Sequence, residues 1–208
     1  MQTITKNDSK LVTFASIMDN AKYIRLSQNQ VNKIGNALIY FSRRIQGLSK
    51  TKALKLIYIL DEMAIKKSGI PFFNLKYKVW KFGPVSEEIF IDLSSELTIF
   101  KEFIKKDSHE GSVYIAPLKD FNDDEFSDND LELMDLVLDI FGDKSAKELI
   151  SYTHRPNAPW EQTAKENSVL ELLWNEEITN TDILIDMGKL VAHDIRKKGL
   201  YDDYVFSN

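Results

Sequence analysis

Between Val31 and Ile45 the apolar residues Val31, Ile34, Leu38, Phe41 and Ile45 recur three or four positions apart, which predicts an amphipathic helix with one buried stripe. Gly47 is well placed to end it. Ser49 suits the N-cap of a second helix that runs to about Lys67, with Gly69 as its stop. Along that helix Ala53, Leu54, Leu56, Ile57, Tyr58, Ile59 and Leu60 leave almost no polar face, so it is expected at the centre of a core. Past Gly69 and Pro71 the period drops to two. Leu75-Lys-Tyr-Lys-Val-Trp-Lys81 alternates as a half-exposed strand does. Gly83-Pro84 ends that strand and, with Glu87 and Glu88 behind it, predicts a helix to about Ser95.

A second short strand is expected over Ser112 to Leu118, and two or three such strands would form a small antiparallel sheet, because no βαβ alternation is present. The acidic loop Asp120 to Ser127 leads into a helix over Asp128 to Phe141, with Leu131, Met134, Val137, Leu138 and Phe141 on one face and Gly142 as its stop. Ser145-x-x-Glu148 is a capping-box pattern for a short helix through His154, and Pro156 and Pro159 force a break before a new start at Trp160. A last long helix is expected after Thr181, with Leu184, Met187, Val191 and Ile195 on one face and an end at Lys197-Lys198-Gly199. Residues 1 to 26 carry no sustained period and at most one short helix around Leu11 to Met18. The expected fold is mainly α with a small antiparallel β-sheet, an α+β chain forming a single compact helical domain. Its expected parts are an N-terminal extension (1–30), a central domain (31–180) and a C-terminal helix and tail (181–208) packing on the same domain.

The 208 residues, 43% hydrophobic and 28% charged, suit one globular unit with a sizeable core. The absence of cysteine excludes a disulfide scaffold and thiolate zinc sites, and fits a reducing cytoplasm. No apolar run reaches the roughly eighteen residues of a membrane span, and the N-terminus lacks the apolar core of a signal peptide. A cytoplasmic protein without a membrane partner is therefore expected. The net charge of −5 is unevenly spread. Arg43 to Lys81 holds 10 basic residues against Asp61 and Glu62, a net of +8, and Lys119 to Asp139 holds 9 acidic residues against Lys119, a net of −8.

Recognisable chemistry is sparse. The histidines, at 109, 154 and 193, have no metal-ligand spacing, so no metal or cofactor is expected. Asp120, Asn122 and Asp124 alternate like the start of a calcium loop, but Glu125 stands where glycine is needed and Leu131 where glutamate is needed. No nucleotide or nucleophile-elbow glycine motif occurs. An enzyme would have to use His154 and an inward-facing Asp61; a helix-end histidine and a capping carboxylate account for both more simply, so no catalytic residue is assigned. The basic Arg43–Lys81 face, with Tyr77 and Trp80 interleaved, raises a nucleic-acid reading. The acidic whole and the opposed directions of the two rings count against it.

Several segments together resemble one family: Leu54-Lys-Leu-Ile-Tyr58, Gly69-Ile-Pro71, Val79-Trp-Lys-Phe-Gly-Pro-Val85, Thr153-His154 and Pro159-Trp160. Their order and spacing resemble the Panacea domain, the SocA-like antitoxin family also called phage-associated proteins, over roughly Asn32 to Ala164. The resemblance implies a bacterial or phage protein that neutralises a cognate protein toxin by direct stoichiometric binding, with delivery to a protease as a variant. It assigns the motif positions Lys55, Tyr58, Trp80, Gly83, Pro84, Thr153, His154, Pro159 and Trp160, read as scaffold first and partner surface second. Relatives often add a DNA-binding or zinc-ribbon module, for which the extension is short and the cysteines are lacking. Charge alone nominates Asp123, Asp124 and Glu125 as the contact for a basic toxin.

Overall fold

A computed structural model describes residues 26–207, and the short helix expected around Leu11 to Met18 lies outside them. Helix α1 (Gln28–Arg44) opens inside the stretch assigned to the extension, because Ser27 and Gln30 close a reciprocal capping box there. It buries every residue from Ile34 to Phe41, a wider face than the expected stripe. The reason is its position, covered by strands on one side and by the next helix on the other. Gly35 permits that closeness: a Cβ there would stand 2.4 Å from the Phe103 ring.

After β1 (Leu48–Ser49), helix α2 (Lys50–Ser68) starts at the Ser49 cap and stops at Gly69, which takes the left-handed conformation at φ +85°. It runs through the middle of the molecule, against α4 (Asp128–Phe141), α5 (Ala146–Thr153) and a 3₁₀ helix (Met187–Val191). Leu56, Ile59 and Leu60 are fully buried along it. Truncating one of them to alanine would cost about 2–5 kcal/mol.

The strand expected from Leu75 is shorter than its alternation suggested. Only Lys78–Trp80 (β2) pairs, because Asp61 on α2 draws the Phe73 amide and the Tyr77 hydroxyl toward the helix. Gly83-Pro84 does not end the sheet. Gly83–Val85 is β3, antiparallel to β2 with Trp80 opposite Gly83, and α3 (Glu87–Ser94) follows from Ser86 rather than from the proline. The other sheet has the order β1-β5-β4, with β4 (Ile104–His109) and β5 (Ser112–Pro117) joined by Glu110 and Gly111, both at positive φ. β4 escaped the sequence reading because Ile104 is its one apolar residue.

α4 and α5 stand where periodicity put them, and α6 (Pro159–Glu166) carries Pro159 in its first turn. A short α7 (Leu170–Trp174) was not anticipated. The long helix expected after Thr181 is absent. Residues 179–185 instead lie along β2, through Val79 N–H to the Ile183 carbonyl (2.9 Å), Lys81 N–H to Thr179 (2.9 Å) and Ile185 N–H to Tyr77 (2.8 Å). The Met187–Val191 turn follows, and α8 (Ile195–Ser207) runs on through Gly199. The helical spacing of Leu184 and Ile195 was coincidental, since they are 51% and 91% exposed. The fold is α+β, mainly helical with small antiparallel sheets.

Candidate functional site

Lys55, Thr153 and Trp160, far apart in the chain, converge on the β2–β3 hairpin that carries Trp80, Gly83 and Pro84. Lys55 reaches it from α2. Its ammonium is buried and donates to the Pro84 carbonyl at 2.8 Å. Burial pulls its pKa down to about 7. Gly83 is required beside it, since a Cβ would lie 2.6 Å from Thr153 Oγ1 and 3.1 Å from Lys55 Nζ at a φ of +96°. From α6, Trp160 donates its indole N–H to the Trp80 carbonyl at 2.9 Å. Trp80 in turn donates to the Thr181 carbonyl at 3.2 Å and sets its ring edge against Phe90. The Trp80 and Pro84 carbonyls are thus both tied to side chains that pack from the core.

His154 is the C-cap of α5, with its ring 3.9 Å from that of Trp160. Its Nε2 is sealed from solvent with no hydrogen-bond partner among the described residues. Burial, reinforced by the charge of Lys55, lowers its pKa to about 4, so the imidazole is neutral at physiological pH. Tyr58 lies beside Glu62, and burial together with that carboxylate pushes the phenol well above its usual range. Glu62 is fully buried and pairs with Lys66 at 2.5 Å and with Arg155, whose guanidinium also covers the Tyr152 ring.

Asp61 belongs to a different neighbourhood. It accepts from Phe73 N–H at 2.6 Å and Tyr77 Oη at 2.7 Å, and burial raises its pKa to about 6. The structure therefore commits His154 and Asp61 to separate partners and does not assemble them into one reaction centre. A groove of about 450 Å³ runs past Tyr77, Leu184 and Tyr201, and none of the motif side chains lines it. Among the described residues no group of three or more His, Asp or Glu side chains could hold a metal ion.

The Arg43–Lys81 lysines and arginines do not form an open basic face. Arg43 pairs with Asp120, Arg44 with Asp135, Lys66 with Glu62, Lys78 with Glu87 and Asp182, and Lys81 with Glu176. Tyr77 is buried, so it offers no stacking surface. Asp123 and Asp124 are exposed on the loop before α4, with Asp124 turned back to Asn122, while half-buried Glu125 accepts from Asn32.

Sequence reasoning missed two buried carboxylates. Glu62 shares the Lys55–Tyr58 side of α2 at helical spacing, which was a readable signal. Asp92 accepts from the Thr98, Ile99 and Phe100 amides and organises that loop, and nothing in the linear pattern announced it.

Among the described residues, no helix is long and apolar enough to cross a membrane. No solved structure matches the chain. The chain is 28% identical over 121 residues to Antitoxin SocA of Caulobacter vibrioides (strain NA1000 / CB15N), a match covering 56% of this chain and 60% of that relative. The family described as Antitoxin SocA-like, Panacea domain, matches residues 54–161, a span that opens beside Lys55 and closes just past Trp160. It takes in every motif residue from Lys55 to Trp160, and the chain belongs to the SocA-like antitoxin family.

Proposed function

We propose that the chain is the antitoxin of a toxin–antitoxin pair and neutralises its cognate protein toxin by direct, stoichiometric binding. The observation that carries this reading is the family match over a cluster whose functional groups face inward. Lys55, Tyr58, Thr153 and Trp160 build a rigid body and leave recognition to the outer surface. Sequestration needs area and complementarity, not reacting groups. The acidic loop with Asp123, Asp124 and Glu125 is the proposed contact for a basic toxin, steered by opposite charge.

The test is co-expression with the neighbouring reading frame, followed by titration of the purified pair. Protection that saturates near one antitoxin per toxin is expected. Protection at a small fraction of that ratio would mean turnover and would overturn occlusion. Neutralising Asp123, Asp124 and Glu125 together should weaken association in a salt-dependent way; unchanged affinity removes the acidic loop from the contact.

A further inference from the structure

Helix α4 is amphipathic on both sides. Its inner face supplies Leu133, Met134, Val137 and Phe141 to the core. Leu136 and Ile140 take no part in that packing and stand 44% and 46% exposed. Single exposed apolar residues are ordinary. This pair is distinguished by its spacing and by its frame. At about 100° per residue, Glu132, Leu136, Asp139 and Ile140 fall within an arc of about 100°, so the two aliphatic side chains form one ridge beside two carboxylates.

Those carboxylates are uncommitted. Asp135 on the same helix is held by Tyr40 and Arg44, whereas Glu132 and Asp139 have no ion pair or hydrogen-bonding side-chain partner among the described residues. The ridge lies at the end of the stretch from Lys119 to Asp139, whose 9 acidic residues include Glu132 and Asp139 themselves. An aliphatic ridge with an acidic border is complementary to one chemistry, an aliphatic stripe with a basic border.

We infer that the outer face of α4 docks a cationic amphipathic helix of the partner protein, with Leu136 and Ile140 meeting its apolar stripe and Glu132 and Asp139 its lysines or arginines. This rests on the antitoxin reading and names the surface and the chemistry it selects. The i, i+4 spacing of the anchors matches the way helices lay an apolar face on a partner. The charges raise the encounter rate and choose the sign of the partner, while the aliphatic contact holds it.

The probe is a fluorescent 20-residue helical peptide with leucines on one face and lysines on its flanks, and the same peptide with glutamates for lysines. Binding is followed by anisotropy with the full chain and with a Leu136→Asn/Ile140→Asn variant whose melting is checked first. The lysine peptide should bind the parent at least tenfold more tightly than the variant, weaken with added salt, and exceed the glutamate peptide by a similar factor. Equal binding to parent and variant, no binding of the lysine peptide, or equal binding of the two peptides each overturns the proposal. A second arm uses the purified product of the neighbouring reading frame. If it binds parent and variant alike, the α4 surface is refuted and the antitoxin reading stands. If it binds neither, the antitoxin reading fails and the peptide arm still judges the surface.

Discussion

The ammonium of Lys55 and the carbonyl of Pro84 lie 2.8 Å apart in a space closed to solvent, and this bond fastens the β2–β3 hairpin to the central helix. Proline has no N–H, so residue 84 can offer only its carbonyl. A lysine held without a carboxylate is an uncommon choice, and it places the hairpin's attachment under the control of one titrating group.

That group sets a pH dependence. Unfolded, Lys55 keeps its proton up to about 10.5; folded, it releases it near 7. Between these values the unfolded chain holds more protons, so this group makes stability rise with pH, and its full penalty is present below pH 7. The penalty is on the order of 3–5 kcal/mol. Replacing the lysine leaves the Pro84 carbonyl unsatisfied, at a cost of about 1–3 kcal/mol. Lys55→Met is therefore expected to be more stable than the parent at pH 6 and to lose that advantage near pH 10. Urea midpoints measured across this range decide it, and parallel pH curves for the two chains would refute the account.

Gly83→Ala is expected to cost about 2–4 kcal/mol, through both a strained φ and overpacking. The two causes can be separated. The added methyl meets Thr153 Oγ1 at 2.6 Å, so Thr153→Ala in the same chain should recover the larger steric part and leave the backbone part with the weaker contact to Lys55 Nζ at 3.1 Å. Thermal melts of the single and double variants form the cycle, and strict additivity would show that the threonine is not the obstacle.

The architecture around the hairpin was legible where local rules and packing agree. The Ser49 and Ser145 caps and the Gly69 stop follow from backbone hydrogen bonding alone, and α2 through α6 appear in order. What failed did so for tertiary reasons. Leu75 to Tyr77 alternate as a strand would, but Asp61 holds Tyr77 from a distant turn. Leu184, Met187 and Val191 are spaced as in a helix, yet the open edge of β2 captures residues 179–185 first. The motif residues could be named from the sequence, whereas their meeting around Gly83 could not, because it depends on how α5 and α6 fold back.

Asp61 is expected to hold the loop after α2 in place. Asp61→Leu leaves the Phe73 amide and Tyr77 hydroxyl without their acceptor, at a cost of about 2–5 kcal/mol. Phe73 amide exchange should accelerate well beyond the acceleration of core amides on α1. The carboxyl is pushed up to about 6, against 3.8 unfolded, so its charged form is penalised and stability from this group falls as pH rises from about 4 to 6. The leucine variant should lack that fall. Retained Phe73 protection would count against the capping role.

His154 separates scaffold from contact surface most directly. Its folded pKa of about 4 lies below the ordinary 6.5, so the neutral ring contributes stability that is complete above pH 6.5 and is lost as pH falls toward 4. His154→Ala also removes the packing on Trp160 and should cost about 2–3 kcal/mol at neutral pH. His154→Phe keeps a ring against the indole while removing the titration, so its acid limb should disappear with a smaller loss at pH 7. Because the imidazole lies on the Trp160 ring with its Nε2 sealed from solvent, both variants should still bind the cognate partner at full stoichiometry, assayed well below their melting temperatures. Lost binding in a variant that melts like the parent would place His154 in the interface and remove it from the scaffold.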